Sequence, residues 1–121
     1  MPTVYQDRVQ ADGSASNQYV YGSKIPQGKV LKVFQITAHT FTTNLGDYET
    51  AKYINLGVQV NDLYCPIRDK DVATTDKVIF SNGIVYIKEG DRPYAYFEAT
   101  ATSTTHILTI NGILYNKDEV K

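Results

Sequence analysis

Scarcity narrows this chain first. Its 121 residues include one cysteine, Cys65, so no internal disulfide can staple it. Two histidines, His39 and His106, one methionine and no tryptophan complete the short list. A zinc site needs three or four closely spaced ligands, and two distant His with one Cys do not supply them. A nucleophilic triad needs a Ser, Cys or Thr beside an oriented His, and no G-x-S-x-G elbow occurs. Gly83 and Gly90 stand outside any G-x-x-x-x-G-K phosphate loop. The formal net charge is −1, and no basic stripe exists to neutralise a row of phosphates, which argues against nucleic acid as a partner. No run of about 18 apolar residues is present, so no membrane-spanning helix is expected. The opening MPTVYQDRVQADGS has neither a basic start nor an apolar stretch and does not read as a signal peptide.

Carboxylates are the remaining route to chemistry. Asp47, Glu49, Glu89, Asp91 and Glu98 are the candidates for a glycosidase pair. Asp47 and Glu49 fall in a polar loop, and Glu89 and Asp91 flank Gly90 in a turn, where such residues serve the turn and keep the surface soluble. Asp69, Asp71 and Asp76, or Asn44 and Asp47, offer oxygens to calcium, but the spacing of an EF-hand loop is absent. The expectation is therefore no enzyme, no cofactor and no metal. Cys65, set in an apolar strand, reads as a small buried hydrophobe.

What is present is β structure. Apolar residues make up 42% of the chain, enough for one core in a single domain. Ten Tyr and four Phe carry the aromatic share, and Val, Ile and Thr outnumber the good helix formers. The clearest unit is KYINLGVQVNDLYCP. Ile54, Leu56, Val58 and Val60 alternate with Tyr53, Asn55, Gly57 and Gln59, the period of a strand with one buried face. Asn61-Asp62 suits a tight reversal, Leu63-Tyr64-Cys65 runs back, and Pro66 is expected to end the pairing. KVLKVFQITAHTFTT alternates too, but its phase slips near Val33-Phe34, which predicts a bulge or a passage between sheets. PYAYFEATA sets Ala95, Phe97, Ala99 and Ala101 on one face and Tyr94, Tyr96, Glu98 and Thr100 on the other. In THILTINGILYN the pair Asn111-Gly112 breaks the pattern, as a bulge or a hairpin turn. Arg68 to Asp76 reads as a surface loop.

These segments predict an all-β fold: an antiparallel, jelly-roll-like β-sandwich of about eight short strands, with turns every 8 to 12 residues or so. Residues 1–18 read as a polar N-terminal arm able to dock on a neighbouring subunit, 19–116 as the sandwich and 117–121 as a polar tail. Tyr53, Tyr64, Tyr94 and Tyr96 are the candidate interface or ligand face. Exposed tyrosine on a sheet fills protein interfaces or stacks on sugar rings.

The order IPQGKVLKVFQITAHT, INLGVQVNDLYCP, KVIFSNGIVYIKEGDRPYAYFEAT and THILTINGILY resembles the small β-sandwich virion proteins of tailed bacteriophages. The matching stretches are Gln27 to Thr40, Ile54 to Tyr64, Lys77 to Thr100 and Ile107 to Leu114. The polar first 24 residues and the segment Arg68 to Asp76 depart from the pattern. The resemblance implies a non-enzymatic structural role in head decoration, head–tail joining or the tail. It implies a homo-oligomer that contacts other virion proteins, made in the host cytoplasm and housed in the virion. The alternative is a carbohydrate-binding or receptor-binding module on the same fold.

Overall fold

The computed structural model describes residues 2–12, 17–42, 53–71, 78–98 and 104–118. Nine strands follow in order: β1 (Thr3–Asp12), β2 (Gln18–Tyr21), β3 (Lys29–Thr42), β4 (Tyr53–Val60), β5 (Leu63–Asp71), β6 (Val78–Ser81), β7 (Val85–Lys88), β8 (Arg92–Glu98) and β9 (Thr104–Asn116). They form two antiparallel sheets. The larger runs β1-β9-β3-β6, with β7 also paired to β3, and the smaller runs β2-β8-β4-β5. Counting β6 and β7 as one interrupted strand gives eight positions, and their alternation between the sheets is that of a jelly roll. The expected all-β antiparallel sandwich is the observed fold.

Between the sheets lies one core. Leu31, Val33, Ile36 and Ala38 of β3, Ile54 and Leu56 of β4, Phe97 of β8, and Leu108 and Ile110 of β9 are almost wholly buried. Each large side chain buried there contributes roughly 1.5–3 kcal/mol relative to exposure. The slip of phase in β3 is a bulge. Its register against β9 shifts between Val33 and Gln35, leaving Phe34 as the extra residue opposite Asn111 and Gly112. So Leu31 and Val33 face inward before it, and Ile36 and Ala38 after it. The two irregularities in the sequence are one place in space. Gly112 is no hairpin turn but the flat spot against which the bulge closes. A Cβ there would strike the Lys32 carbonyl oxygen and lie 3.1 Å from the Val33 Cα.

The β4–β5 hairpin turns where expected, with Asn61 at φ 50° and Asp62 at φ 67°. Two consecutive positive angles mark a type I′ turn, whose twist matches the flanking strands.

Four expectations meet a different arrangement. The first stretch is not a free arm: Thr3 to Asp12 pair with β9 along their full length. Tyr5, Val9 and Ala11 pack against the core from the rim. Pro66 does not end pairing, because β5 is an outermost strand and its register slips at this point, between Leu56 and Gly57. An edge strand and a bulge both tolerate a missing N–H. Arg68 to Asp71 accordingly belong to β5 rather than to a loop. Cys65 is exposed rather than buried. Its strand overhangs the rim, and every residue from Asn61 to Asp69 is exposed.

Candidate functional site

The outer face of the smaller sheet is covered with tyrosine. On β8 the inward residues Ala95 and Phe97 leave Tyr94 and Tyr96 facing out, and on β2 the inward Val20 leaves Tyr19 and Tyr21 facing out. The register sets Tyr19 against Tyr96 and Tyr21 against Tyr94, so four rings form a block across two strands. β4 lies on the other side of β8 and presents Asn55, Gly57 and Gln59 opposite Tyr96, Tyr94 and Arg92. The β5 backbone closes directly over Gly57, and Tyr64 of β5 meets the Tyr94 ring. A Cβ at Gly57 would strike the Cys65 carbonyl oxygen and approach the Pro66 Cα to 2.8 Å.

The rings pack on one another. Tyr19 stands 4.7 Å from Tyr64 in a stacked arrangement and 4.7 Å from Tyr96 in a tilted one. Tyr64 meets Tyr94 edge-on at 5.0 Å. Tyr94 is the floor, only 2% exposed, while Tyr19 and Tyr64 remain 42% and 40% exposed above it. Because ring faces are occupied by other rings, the cluster offers the solvent a rigid surface rich in ring edges and phenol hydroxyls. Such packing adds roughly 0.5–1.5 kcal/mol per pair beyond the area buried.

Polar groups fix the block at both ends. The Tyr94 hydroxyl donates to Asn55 Oδ1 at 3.0 Å. The hydroxyls of Tyr21 and Tyr64 share a hydrogen bond of 2.5 Å. The Arg92 guanidinium lies 3.8 Å above the Tyr21 ring, and Arg92 Nε donates to Gln59 Oε1 at 2.7 Å. At the opposite end the Tyr53 hydroxyl donates to Asp69 Oδ2 at 2.6 Å, and Glu98 pairs in register with Tyr53. Burial, then the hydrogen bond with Tyr64, pushes the Tyr21 phenol up to about 12. Burial and then the neighbouring Tyr19 push Tyr94 to about 12 as well. The hydrogen bond to Asp69 raises Tyr53, and burial followed by Glu98 raises Tyr96. These phenols are thus held neutral as hydrogen-bonding groups, the opposite of an activated nucleophile.

Of the four tyrosines expected from sequence, Tyr64, Tyr94 and Tyr96 come together. Tyr53 stands apart at the acidic end, and Tyr94 lies beneath the surface. Sequence reasoning missed Tyr19, Tyr21 and Arg92. The alternation of Tyr19-Val20-Tyr21 already put both tyrosines on one face, but nothing local says that β2 pairs with β8.

The other candidates do structural work. His106 is buried, stacked on Phe97 at 4.2 Å. His39 is half-buried, and burial lowers its pKa. Glu89 accepts the Gly28 N–H at 2.5 Å and pairs with Lys117 at 3.1 Å, and these contacts hold its carboxyl below the usual range. Asp91, buried, accepts the Asn61 N–H at 3.3 Å. Asn44, Asp47, Glu49 and Asp76 lie outside the described residues. Among the described residues no group of three His, Cys, Asp or Glu is placed to hold a metal ion.

No protein-family model matches the chain. A search of curated proteins finds no match either. Solved structures do share its fold. A chain from the acidic stable capsid structure of Helicobacter pylori bacteriophage KHP30 superposes with a TM-score of 0.63 at 11% identity, covering 93% of each chain. The vertex protein P5 of PRD1 gives 0.54 at 10% identity, covering 88% of this chain and 95% of that one. At such identities the likeness is one of fold. Phage capsid and vertex proteins are therefore among this chain's structural neighbours.

Proposed function

We propose that this protein is a non-enzymatic structural component of a tailed-bacteriophage particle. It self-associates and contacts other virion proteins through the faces of its sandwich. The observation that carries the reading is the tyrosine block. Its rings are ordered by one another before any partner arrives, so little side-chain entropy remains to be lost on association. The fold shared with a phage capsid chain supports the setting. Head decoration, head–tail joining or a tail position are the roles proposed for it, with synthesis in the host cytoplasm and residence in the virion.

Light scattering on a size-exclusion column tests the reading. The full chain is expected to elute as a discrete oligomer, and Tyr64→Ala is expected to weaken it. A monodisperse monomer at high concentration overturns the proposal. A second reading, a carbohydrate- or receptor-binding module, draws on Asn55 and Asp69 beside the exposed tyrosines. It predicts a glycan-array signal that Tyr64→Ala abolishes.

A further inference from the structure

The two outer faces of the sandwich differ in charge. On the larger sheet, Val4, Arg8, Lys32, Phe34, Tyr86 and Lys88 all fall on the solvent side. Val4 is 90% exposed, Tyr86 49% and Phe34 39%. Val4 pairs with Ile113, Ile113 with Lys32 and Lys32 with Tyr86, so these residues form one row across four strands. Lys32 Nζ lies 5.6 Å from the centre of the Phe34 ring. The charged side chains described on this face, Arg8, Lys32 and Lys88, are all cationic. The tyrosine face carries the complement. Asp69 and Glu98 stand exposed at its Tyr53 end. Its own cation, Arg92, is engaged by the Tyr21 ring and Gln59 at the other end.

The edges are poor alternatives. In β5, a second copy that pairs antiparallel with Arg68 opposite itself sets cation against cation, and one that pairs with Asp69 opposite itself sets acid against acid. β2, β6 and β7 have four residues each. On β1, Asp7 falls on the inward side, where its carboxylate accepts the Ser23 N–H at 3.1 Å. An inward charge on an edge strand opposes further pairing.

We infer that the cationic outer face of the larger sheet in one copy seats on the tyrosine face of the next copy. Val4, Phe34 and Tyr86 meet Tyr19 and Tyr64, and Arg8, Lys32 and Lys88 meet Asp69 and Glu98. The contact joins two different surfaces, so it is heterologous, and it closes into a ring or continues as a filament according to the rotation it imposes. The inference rests on the self-assembly reading and names its interface.

Charge reversal with exchange tests it. Arg8→Glu with Lys32→Glu makes both faces acidic, and Asp69→Lys with Glu98→Lys makes both basic. Sedimentation velocity should show each double variant as a monomer, with association weakened at least tenfold. An equimolar mixture should associate again with the two variants alternating, because each face then finds its opposite on the other variant, and it regains the wild-type mass where the assembly has an even number of copies. Double variants that keep the wild-type mass, or a mixture that stays monomeric, overturn the inference while leaving self-assembly intact. A monomeric wild-type chain overturns both. If a double variant loses its cooperative melt, Val4→Asp at a fully projecting side chain takes its place. It should weaken the assembly, and an unchanged mass counts against the interface.

Discussion

The imidazole of His106 lies parallel to the ring of Phe97, 4.2 Å away with 6° between the planes. His106 is on β9 and Phe97 on β8, so the stack joins the two sheets through the core. Its Nδ1 is 2.6 Å from Oε1 of Gln18 on β2. Burial pushes the pKa of this group from 6.5 down to about 4. In the unfolded chain the ring takes up a proton near pH 6.5, and in the folded protein it resists until about 4. The unfolded state therefore binds more protons in that window, and stability falls as pH drops through it. The loss is about 3 kcal/mol at most. Melting temperatures measured from pH 7 to pH 4 should decline in the wild type. His106→Gln should flatten the part of that decline above pH 5, and an identical slope in both proteins would refute the assignment.

Gly112 and Gly57 sit where two backbones close on each other at bulges. Gly112→Ala and Gly57→Ala should each cost more than about 2 kcal/mol, since backbone rather than a flexible side chain must give way. Urea titration checks this. As a control, Gly83→Ala meets only the Ser81 hydroxyl at 3.9 Å and should change stability far less.

The tyrosine block should be visible in a spectrophotometric titration. Tyr21 and Tyr94 ionise near 12 in the folded protein against 10.0 for a free phenol. Their raised values contribute stability that is present below pH 10 and is lost as pH rises from 10 to about 12. Absorbance near 295 nm should rise in two steps, the later one merging with alkaline unfolding. Tyr64→Phe removes the hydrogen-bond partner of Tyr21 and should bring part of the later step to lower pH.

The hairpin turn invites one stabilising change. Asp62 holds φ 67°, a conformation glycine adopts without strain. Asp62→Gly converts the turn to Asn-Gly and should raise stability by a few tenths to about 1 kcal/mol. Thermal melts of the two proteins decide it.

Strands with a buried face were legible, because packing forces a period of two on their side chains. The hairpin and the bulge in β3 followed from that period alone. β1 was not legible as a strand. Only Tyr5, Val9 and Ala11 of its inward set are apolar, and Asp7 interrupts them, since an edge strand at the rim has little core to cover. Cys65 misled for a related reason. Its alternation with Tyr64 places it inward, but what lies beneath an edge depends on the length of the opposite strand. The tyrosine face was half legible: parity within each strand put tyrosines outward, while the neighbours of β8 are set by long-range pairing.

The pairing of β1 with β9 also has a history. β9 is inserted between β1 and β3, so the larger sheet is incomplete until the last strand arrives. During synthesis, about 90 residues separate the end of β1 from the start of β9, which at roughly 5–20 residues per second is about 5–20 s. Until β9 is made, β1 lacks its partner strand and the β9 side of β3 stays unpaired. Nascent chains of this protein should therefore depend on chaperone cover or dilution until β9 has been made. At high expression they should form inclusion bodies more readily than the stability of the finished sandwich would suggest.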